Sequence, residues 1–225
     1  MRDMVLIVGF DEASSRSVAR KLRAERVFCK IVSPDISPEE VGAQEPLGLL
    51  LAGTSQGAQR LPGLSQELLS LDLPVLALGD AAAALCTLLG GVATDSFLQQ
   101  SAAPVAYQEG LPLFDDVPAG ERMMTCVRPL EPGEALLPAA WVRENVIGFV
   151  HRDLPLYGLQ LQMEQNDPDG IQILANFALK ICGCTPWWDN EAFSLRALEE
   201  IRRVAGKEGG VVCAMSGGID SAVCA

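Results

Sequence analysis

Met4-Val5-Leu6-Ile7-Val8-Gly9-Phe10 is a continuous apolar run that ends near a glycine, and it decides the fold class. The segment that follows, residues 14–26, places Val18, Ala19 and Leu22 at helical spacing. A short apolar run followed by an amphipathic helix is typical of a β-then-α unit. The sequence therefore predicts such a unit at the start of the chain.

The same alternation repeats through the first ninety or so residues. Further strands are predicted over 27–32, 47–52 and 74–78, and short helices over 64–71 and after Ser37-Pro38-Glu39-Glu40, where serine caps the helix start. Residues 81–89 are nearly all alanine and leucine, which predicts a buried helix ended by Gly90-Gly91. We therefore expect an α/β fold, with a mostly parallel sheet and helices on both faces.

In the later part of the chain the apolar runs are shorter and are separated by prolines. Short, proline-punctuated runs over 105–107, 122–128, 140–142 and 146–151 predict antiparallel strands along one side of the sheet. A strand over 157–161, a helix over 169–181, a linker over 185–190 and an amphipathic helix over 191–205 follow, and the last helix leads into a predicted strand over 211–215.

The charge balance excludes some classes of partner. The formal net charge is −12, and no cluster of Lys and Arg is visible, so we expect no nucleic-acid partner. The longest apolar stretches, 47–52 and 75–89, are too short or too interrupted to span a bilayer, and the N-terminus lacks a signal-peptide pattern. We therefore expect a cytoplasmic protein with no membrane partner.

The seven cysteines do not form a recognisable framework. They lie at positions 29, 86, 126, 182, 184, 213 and 224, and the chain has one histidine, His151. An odd count without paired CxxC motifs favours neither a zinc site nor a set of disulfides. We interpret the thiols as reduced and mostly buried, and we expect no metal site.

Ser216-Gly217-Gly218-Ile219-Asp220-Ser221 follows the apolar run 211–215 directly. Glycines after a strand let backbone N–H groups approach a phosphate, and the next helix start favours negative charge. The stretch lacks the lysine of a P-loop. It resembles the SGGxDS pyrophosphate loop of the ATP pyrophosphatases; an ordinary glycine turn is the alternative.

The order of elements resembles that of the GMP synthase family. The resemblance rests on residues 74–78 before Gly90-Gly91, on 156–160, on Trp187 and on the terminal SGGIDS. The resemblance implies a class I glutamine amidotransferase-like, flavodoxin-like domain over 1–184 and a linker over 185–190. It assigns 191–225 to the helix, strand and loop that begin an ATP pyrophosphatase domain.

That family hydrolyses glutamine with a cysteine at a strand-to-helix turn and a histidine held by a glutamate. Here Gly79 stands at the nucleophile position and Gln162 at the histidine position, while Glu164 is retained. A glycine has no nucleophile, and an amide cannot relay a proton near neutral pH. Cys86, His151 and Asp80 are candidate stand-ins, but none is expected to serve. We therefore expect no catalytic residues for glutamine hydrolysis.

For the phosphate loop, the resemblance assigns Ser216, Gly217, Gly218, Asp220 and Ser221 to the β- and γ-phosphates of ATP, with Mg²⁺. The family's other nucleotide and metal contacts come later in its sequence, so we expect this chain, which stops at Ala225, to bind no cofactor and to be inactive by itself.

Three interpretations follow for the chain as a whole. The first is part of a GMP synthase-like ligase of purine biosynthesis, which aminates XMP to GMP with ATP and takes ammonia from solution or a partner subunit. The second is a non-catalytic pseudo-amidotransferase that acts as a regulatory or docking module. The third is a truncated gene model. Because the 211–215 strand would expose an apolar edge, we expect 207–225 to be mobile, to pack on the first domain or to mediate a homodimer.

Overall fold

The computed structural model describes residues 3–53, 66–94, 96–98, 101–118, 120–124, 127–161, 168–206, 209–210, 212–218 and 221–222. The chain divides into two compact units, Met1–Trp187 and Trp188–Ala225. No helix in these described ranges is long and apolar enough to cross a membrane.

The first unit is built on a sheet of eight strands among the described residues, in the order β2-β1-β3-β4-β12-β11-β10-β7. The strands from β2 to β12 pair in parallel, and those from β12 to β7 pair antiparallel. The bounds are β1 Val5–Gly9, β2 Cys29–Val32, β3 Gly48–Ala52, β4 Val75–Leu78, β5 Val92–Ala93, β6 Ser101–Pro104, β7 Ala106–Tyr107, β8 Glu121–Met124, β9 Leu130–Glu131, β10 Leu136–Val142, β11 Asn145–His151 and β12 Leu156–Leu159.

Capping side chains mark the starts of α1 and α2. The Asp11 carboxylate accepts a 2.8 Å bond from the Ser14 amide at the start of α1, and Ser37 forms a capping box with Glu40 in α2, as predicted. The bounds are α1 Glu12–Ala24, α2 Pro38–Gly42, α3 Gln66–Leu69, α4 Asp80–Leu88 and α5 Pro168–Ala175, with a 3₁₀ turn at Pro112–Phe114. The second unit holds α6, Asn190–Ala205.

Two apolar cores lie on opposite faces of the sheet. Alternate residues of β1 divide between them: Val5 and Ile7 pack with residues of α1 and α5, whereas Leu6 and Val8 pack with residues of α4. This division follows from the two-residue period of a strand. It confirms the predicted α/β fold with helices on both faces.

Two predictions need correction, and a third, the helix over 169–181, is confirmed in extent but not in type. The segment predicted as a strand over 122–128 is not part of the main sheet, because β8 pairs with β6 in a separate two-stranded sheet. The helix predicted over 169–181 continues beyond α5 as a π-helix, Asn176–Ile181. Residues 212–215 form no strand, and Val212 is 98% exposed. An isolated apolar strand has no neighbour to pair its backbone, so its sequence pattern alone does not form one.

Gly158 provides a test of how tightly the sheet packs. A Cβ at this position would collide with the buried ring of Phe149, so Gly158→Ala should lower the free energy of unfolding by about 1–3 kcal/mol. Urea denaturation measures the change. Gly42→Ala is the matched control, because no atom lies within 4 Å of the position that its methyl group would take, and stability should not fall. Equal stability of the two variants would contradict the packing.

Candidate functional site

The carboxyl ends of three neighbouring parallel strands meet at one edge of the sheet. Gly53 follows β3 and its amide donates a 3.2 Å bond to Leu78 O, the last residue of β4. Gly79 follows β4 and its amide donates a 2.9 Å bond to Leu159 O, the last residue of β12. Ligands of open α/β sheets bind outside this edge. These residues therefore mark the candidate site.

Gly79 has the backbone conformation of a strained strand-to-helix turn. Its φ is 58° and its ψ is −132°, and it lies between β4 and the first residue of α4. Residues with a Cβ rarely adopt a positive φ, whereas glycine does so without steric cost. A turn of this kind presents a nucleophile in enzymes that use one. Here the turn has that placement, and the residue at its tip has no side chain.

Gly53 packs closely against the same turn. A Cβ on Gly53 would lie 2.7 Å from Leu78 O and would collide with the backbone nitrogen of Ala81. These contacts are with main-chain atoms, which cannot move aside as a flexible side chain would. The close approach therefore holds β3 against the N-terminus of α4. Thr54 and Ser55, the residues that follow, lie outside the described part of the chain.

Asp80, the first residue of α4, is held in a buried ion pair. Its Oδ1 lies 3.0 Å from an Arg128 guanidinium nitrogen, and the two side chains are 1% and 3% exposed. The Phe97 ring centroid lies 5.6 Å from the Arg128 guanidinium carbon. A buried carboxylate is retained only when it is paired, and the N-terminus of a helix favours its negative charge. Asp80 thus serves the structure and is not poised as a nucleophile.

Gln160 is a further polar residue at this edge that the sequence analysis did not single out. Its side chain is buried, with 2% exposure, and its Nε2 has no hydrogen-bond partner among the described residues. Leu159 and Leu161 on either side pack in the core that contains α1, so alternation directs Gln160 toward the face that carries α4. The sequence signal was a glutamine between two leucines at the end of an apolar strand.

Two residues that could replace the missing nucleophile or base, Cys86 and His151, lie in other structural settings. Cys86 lies in α4, two helical turns beyond Gly79, and burial raises its pKa to about 11. His151 accepts 3.1 Å bonds at Nδ1 from the amides of Asp153 and Leu154, which caps the turn after β11. Neither side chain is placed for chemistry at the Gly79 turn.

Residues 216–218 of the glycine-rich loop in the second unit are exposed, and hydroxyl groups of the loop bond within it. Ser216 Oγ lies 3.2 Å from Ser221 Oγ, and Ser221 Oγ donates a 2.9 Å bond to Gly218 O. Gly217 has a φ of 79°, a region that favours glycine. The structure brings together Ser216, Gly217, Gly218 and Ser221. Asp220, Gln162 and Glu164 lie outside the described residues.

No protein-family model matches the chain. A curated glutamine-hydrolyzing GMP synthase from Caldanaerobacter subterraneus subsp. tengcongensis is 29% identical over 231 residues, which covers 100% of this chain and 45% of that protein. A second, from Brucella melitensis biotype 1, is 30% identical over 237 residues, with 99% and 46% covered. Both of these relatives are named as glutamine-hydrolyzing GMP synthases. The chain spans about half the length of the GMP synthases it matches.

Solved structures agree on the fold. A crystal structure described as that of a candidate GMP synthase subunit from Thermoplasma acidophilum has a TM-score of 0.66 at 20% identity, and covers 89% of this chain and 98% of that one. A glutamine amidotransferase from Thermotoga maritima has a TM-score of 0.58 at 14% identity, with 91% and 93% covered. The first unit therefore has a class I glutamine amidotransferase fold.

The effects of substituting Asp80 and Arg128, the ion pair beside the Gly79 turn, on the free energy of unfolding should be strongly non-additive. Arg128→Ala leaves the Asp80 carboxylate buried without its guanidinium, so we expect a loss of about 3–5 kcal/mol in the free energy of unfolding. The double variant Asp80→Leu with Arg128→Met removes both charges and should recover most of that loss. Urea denaturation measures both. Equal losses in the two variants would contradict the pairing.

Thiol reactivity should separate the buried cysteines from the exposed one. Burial raises the pKa values of Cys29 and Cys86 to about 11, so at about pH 8 little thiolate is present at either site. Iodoacetamide should modify the exposed Cys213 in the native chain and leave those two unmodified, as read by peptide mass spectrometry. Denatured protein is the control. Rapid native labelling of Cys86 would overturn this assignment.

Proposed function

We propose that this chain is part of a GMP synthase-like protein whose glutaminase site is degenerate. The observation that carries the proposal is Gly79, which occupies the tip of the strand-to-helix turn with φ 58° and no side chain. Hydrolysis of a glutamine amide by this fold needs a thiolate at that tip and a base nearby. Gln162, which stands in the sequence where the base would be, carries an amide. We therefore propose that the chain has no glutaminase activity.

The surroundings of the turn support this proposal. Asp80 places a negative charge in the first turn of α4, where a developing oxyanion would otherwise be stabilised by the helix N-terminus. Arg128 balances that charge within the protein. Any nucleophile introduced at position 79 would therefore adjoin a carboxylate and guanidinium that are already paired with each other, with no free positive charge from Arg128 to stabilise a thiolate.

For a protein of the relatives' full length, we propose ATP-dependent amination of XMP. ATP would adenylate the XMP oxygen with release of pyrophosphate, and ammonia would then displace AMP to give GMP. With the glutaminase site degenerate, the ammonia would come from solution or from a partner subunit. The likeness to GMP synthases over 100% of the chain supports this proposal.

The glycine-rich loop is the proposed contact to ATP in such a protein. The hydroxyl groups of Ser216 and Ser221 are hydrogen-bond donors, and the positive φ of Gly217 fits a backbone that curves around a phosphate. We propose that Ser216, Gly217, Gly218, Asp220 and Ser221 contact the β- and γ-phosphates. Bound Mg²⁺ would neutralise part of the negative charge of these phosphates.

Glutamine hydrolysis tests the degenerate site directly. The purified chain should release ammonia from glutamine no faster than buffer does, because Gly79 carries no thiol and Gln162 carries no imidazole. Gly79→Cys in a Cys213→Ser background should at most be alkylated at residue 79 by a glutamine-mimicking diazoketone, as read by peptide mass spectrometry, and should not turn over glutamine. A Cys213→Ser chain without the second change is the matched control. Steady ammonia release by the unmodified chain would refute the proposal.

A second candidate function is a ligand-binding module without catalysis, and Gln160 is the observation that favours it. A buried amide nitrogen without a partner costs free energy, and a bound ligand with an oxygen acceptor would satisfy it. We propose glutamine or a purine nucleotide monophosphate as the ligand class for this alternative.

Thermal shift measurements with glutamine, XMP and GMP distinguish the two functions. If the chain is a binding module, one of these ligands should raise the melting temperature, and Gln160→Met should abolish the rise. If the chain is instead a degenerate amidotransferase domain that binds none of these ligands, no ligand should raise the melting temperature. Gln160→Met should then stabilise the chain by about 1 kcal/mol, because it removes a buried amide that has no partner among the described residues. A ligand effect that persists in Gln160→Met would contradict the role of this side chain.

A further inference from the structure

The last residues of the first unit run across the amino ends of three parallel strands. Cys182 lies against Gly48, at the start of β3, where its sulfur would block a Cβ. Thr185 bonds to Asp3, which comes two residues before β1. The Trp187 ring lies beside the ring of Phe28, the residue before β2, with centroids 5.2 Å apart. Because the sheet order is β2-β1-β3, the segment crosses its strands in sequence.

Asp3 is the centre of these contacts. Its carboxylate accepts bonds from the Thr185 amide at 3.1 Å and from the Thr185 hydroxyl at 2.6 Å. These bonds favour the charged carboxylate and hold the pKa of Asp3 below its ordinary value. Hydrogen bonds to a charged acceptor are stronger than neutral ones. One carboxylate therefore binds a residue 182 positions away in the sequence.

Trp187 adds a contact of a different kind at the end of the segment. Its indole nitrogen donates a 3.2 Å bond to the Asp3 carbonyl oxygen, while its ring packs beside Phe28. The polar and apolar parts of one side chain are thus both used. Trp187 is the last residue of the first unit.

We propose that residues 182–187 form a strap that fixes the point at which the chain leaves the first unit. The exit lies at the amino end of β2, on the edge of the sheet opposite the Gly79 turn. The strap also ties the beginning of the unit to its end, because Asp3 and Trp187 are bonded. This proposal does not depend on the proposed function.

Asp3→Ala in the full chain tests the strap. The Thr185 amide loses its acceptor, so its hydrogen exchange should accelerate at least about tenfold, together with the amides of 186–188 that can exchange, while amides of β1 and β3 keep their rates. Chymotrypsin should also cut after Trp187 about tenfold faster. Asp35→Ala, which removes an exposed aspartate from a turn, is the matched control and should change neither rate.

Two further variants keep the test decisive if Asp3→Ala fails to fold. Thr185→Val removes the hydroxyl bond, and Trp187→Phe removes the indole bond but keeps an aromatic ring beside Phe28. Thr185→Val should accelerate cleavage after residue 187 by a smaller factor. Trp187→Phe alters the residue that chymotrypsin recognises, so it is followed instead by hydrogen exchange of the amides of 187 and 188, which should accelerate by a smaller factor. Unchanged exchange at Thr185 in Asp3→Ala, or acceleration spread equally over β1 and β3, would overturn the strap.

Discussion

The strand-to-helix turn at Gly79 is the constraint on which the candidate site depends. Its amide is bonded to the end of β12, and the end of β4 accepts the amide of Gly53. Gly53 in turn has no room for a Cβ against the backbone of α4. Three strands and a helix are thereby held around one residue with positive φ. The shape of the turn is a property of the packed sheet.

The backbone conformation of the Gly79 turn does not require a nucleophilic side chain at its tip. A glycine adopts a positive φ at least as readily as any other residue, so Gly79 fits the turn without backbone strain although it carries no reactive group. Asp80 and Arg128 then form a buried pair beside the tip, where each charge requires the other. The site thus combines the geometry of a strand-to-helix turn with a buried ion pair beside its tip.

The opposite edge of the sheet is organised by different forces. There the chain termini of the first unit meet through Asp3, Thr185 and Trp187, by hydrogen bonds and one aromatic contact. Such contacts join residues at the two ends of the unit, and local sequence carries no sign of them. The candidate site thus lies at the carboxyl ends of the parallel strands, and the chain leaves the unit at their amino ends.

The sequence by itself determined the α/β class, the central parallel strands and the helix starts. Apolar runs such as 4–10 and capping residues such as Ser37 act within a few positions of where they stand. It also determined that Gly79 has no side chain to react. Only the tertiary structure decided the partner of Asp80, the burial of Gln160 and the separate pairing of β8, because each depends on residues distant in sequence. The predicted strand over 211–215 failed, among residues 212–215, for the same reason: a strand forms only where a neighbour pairs with its backbone.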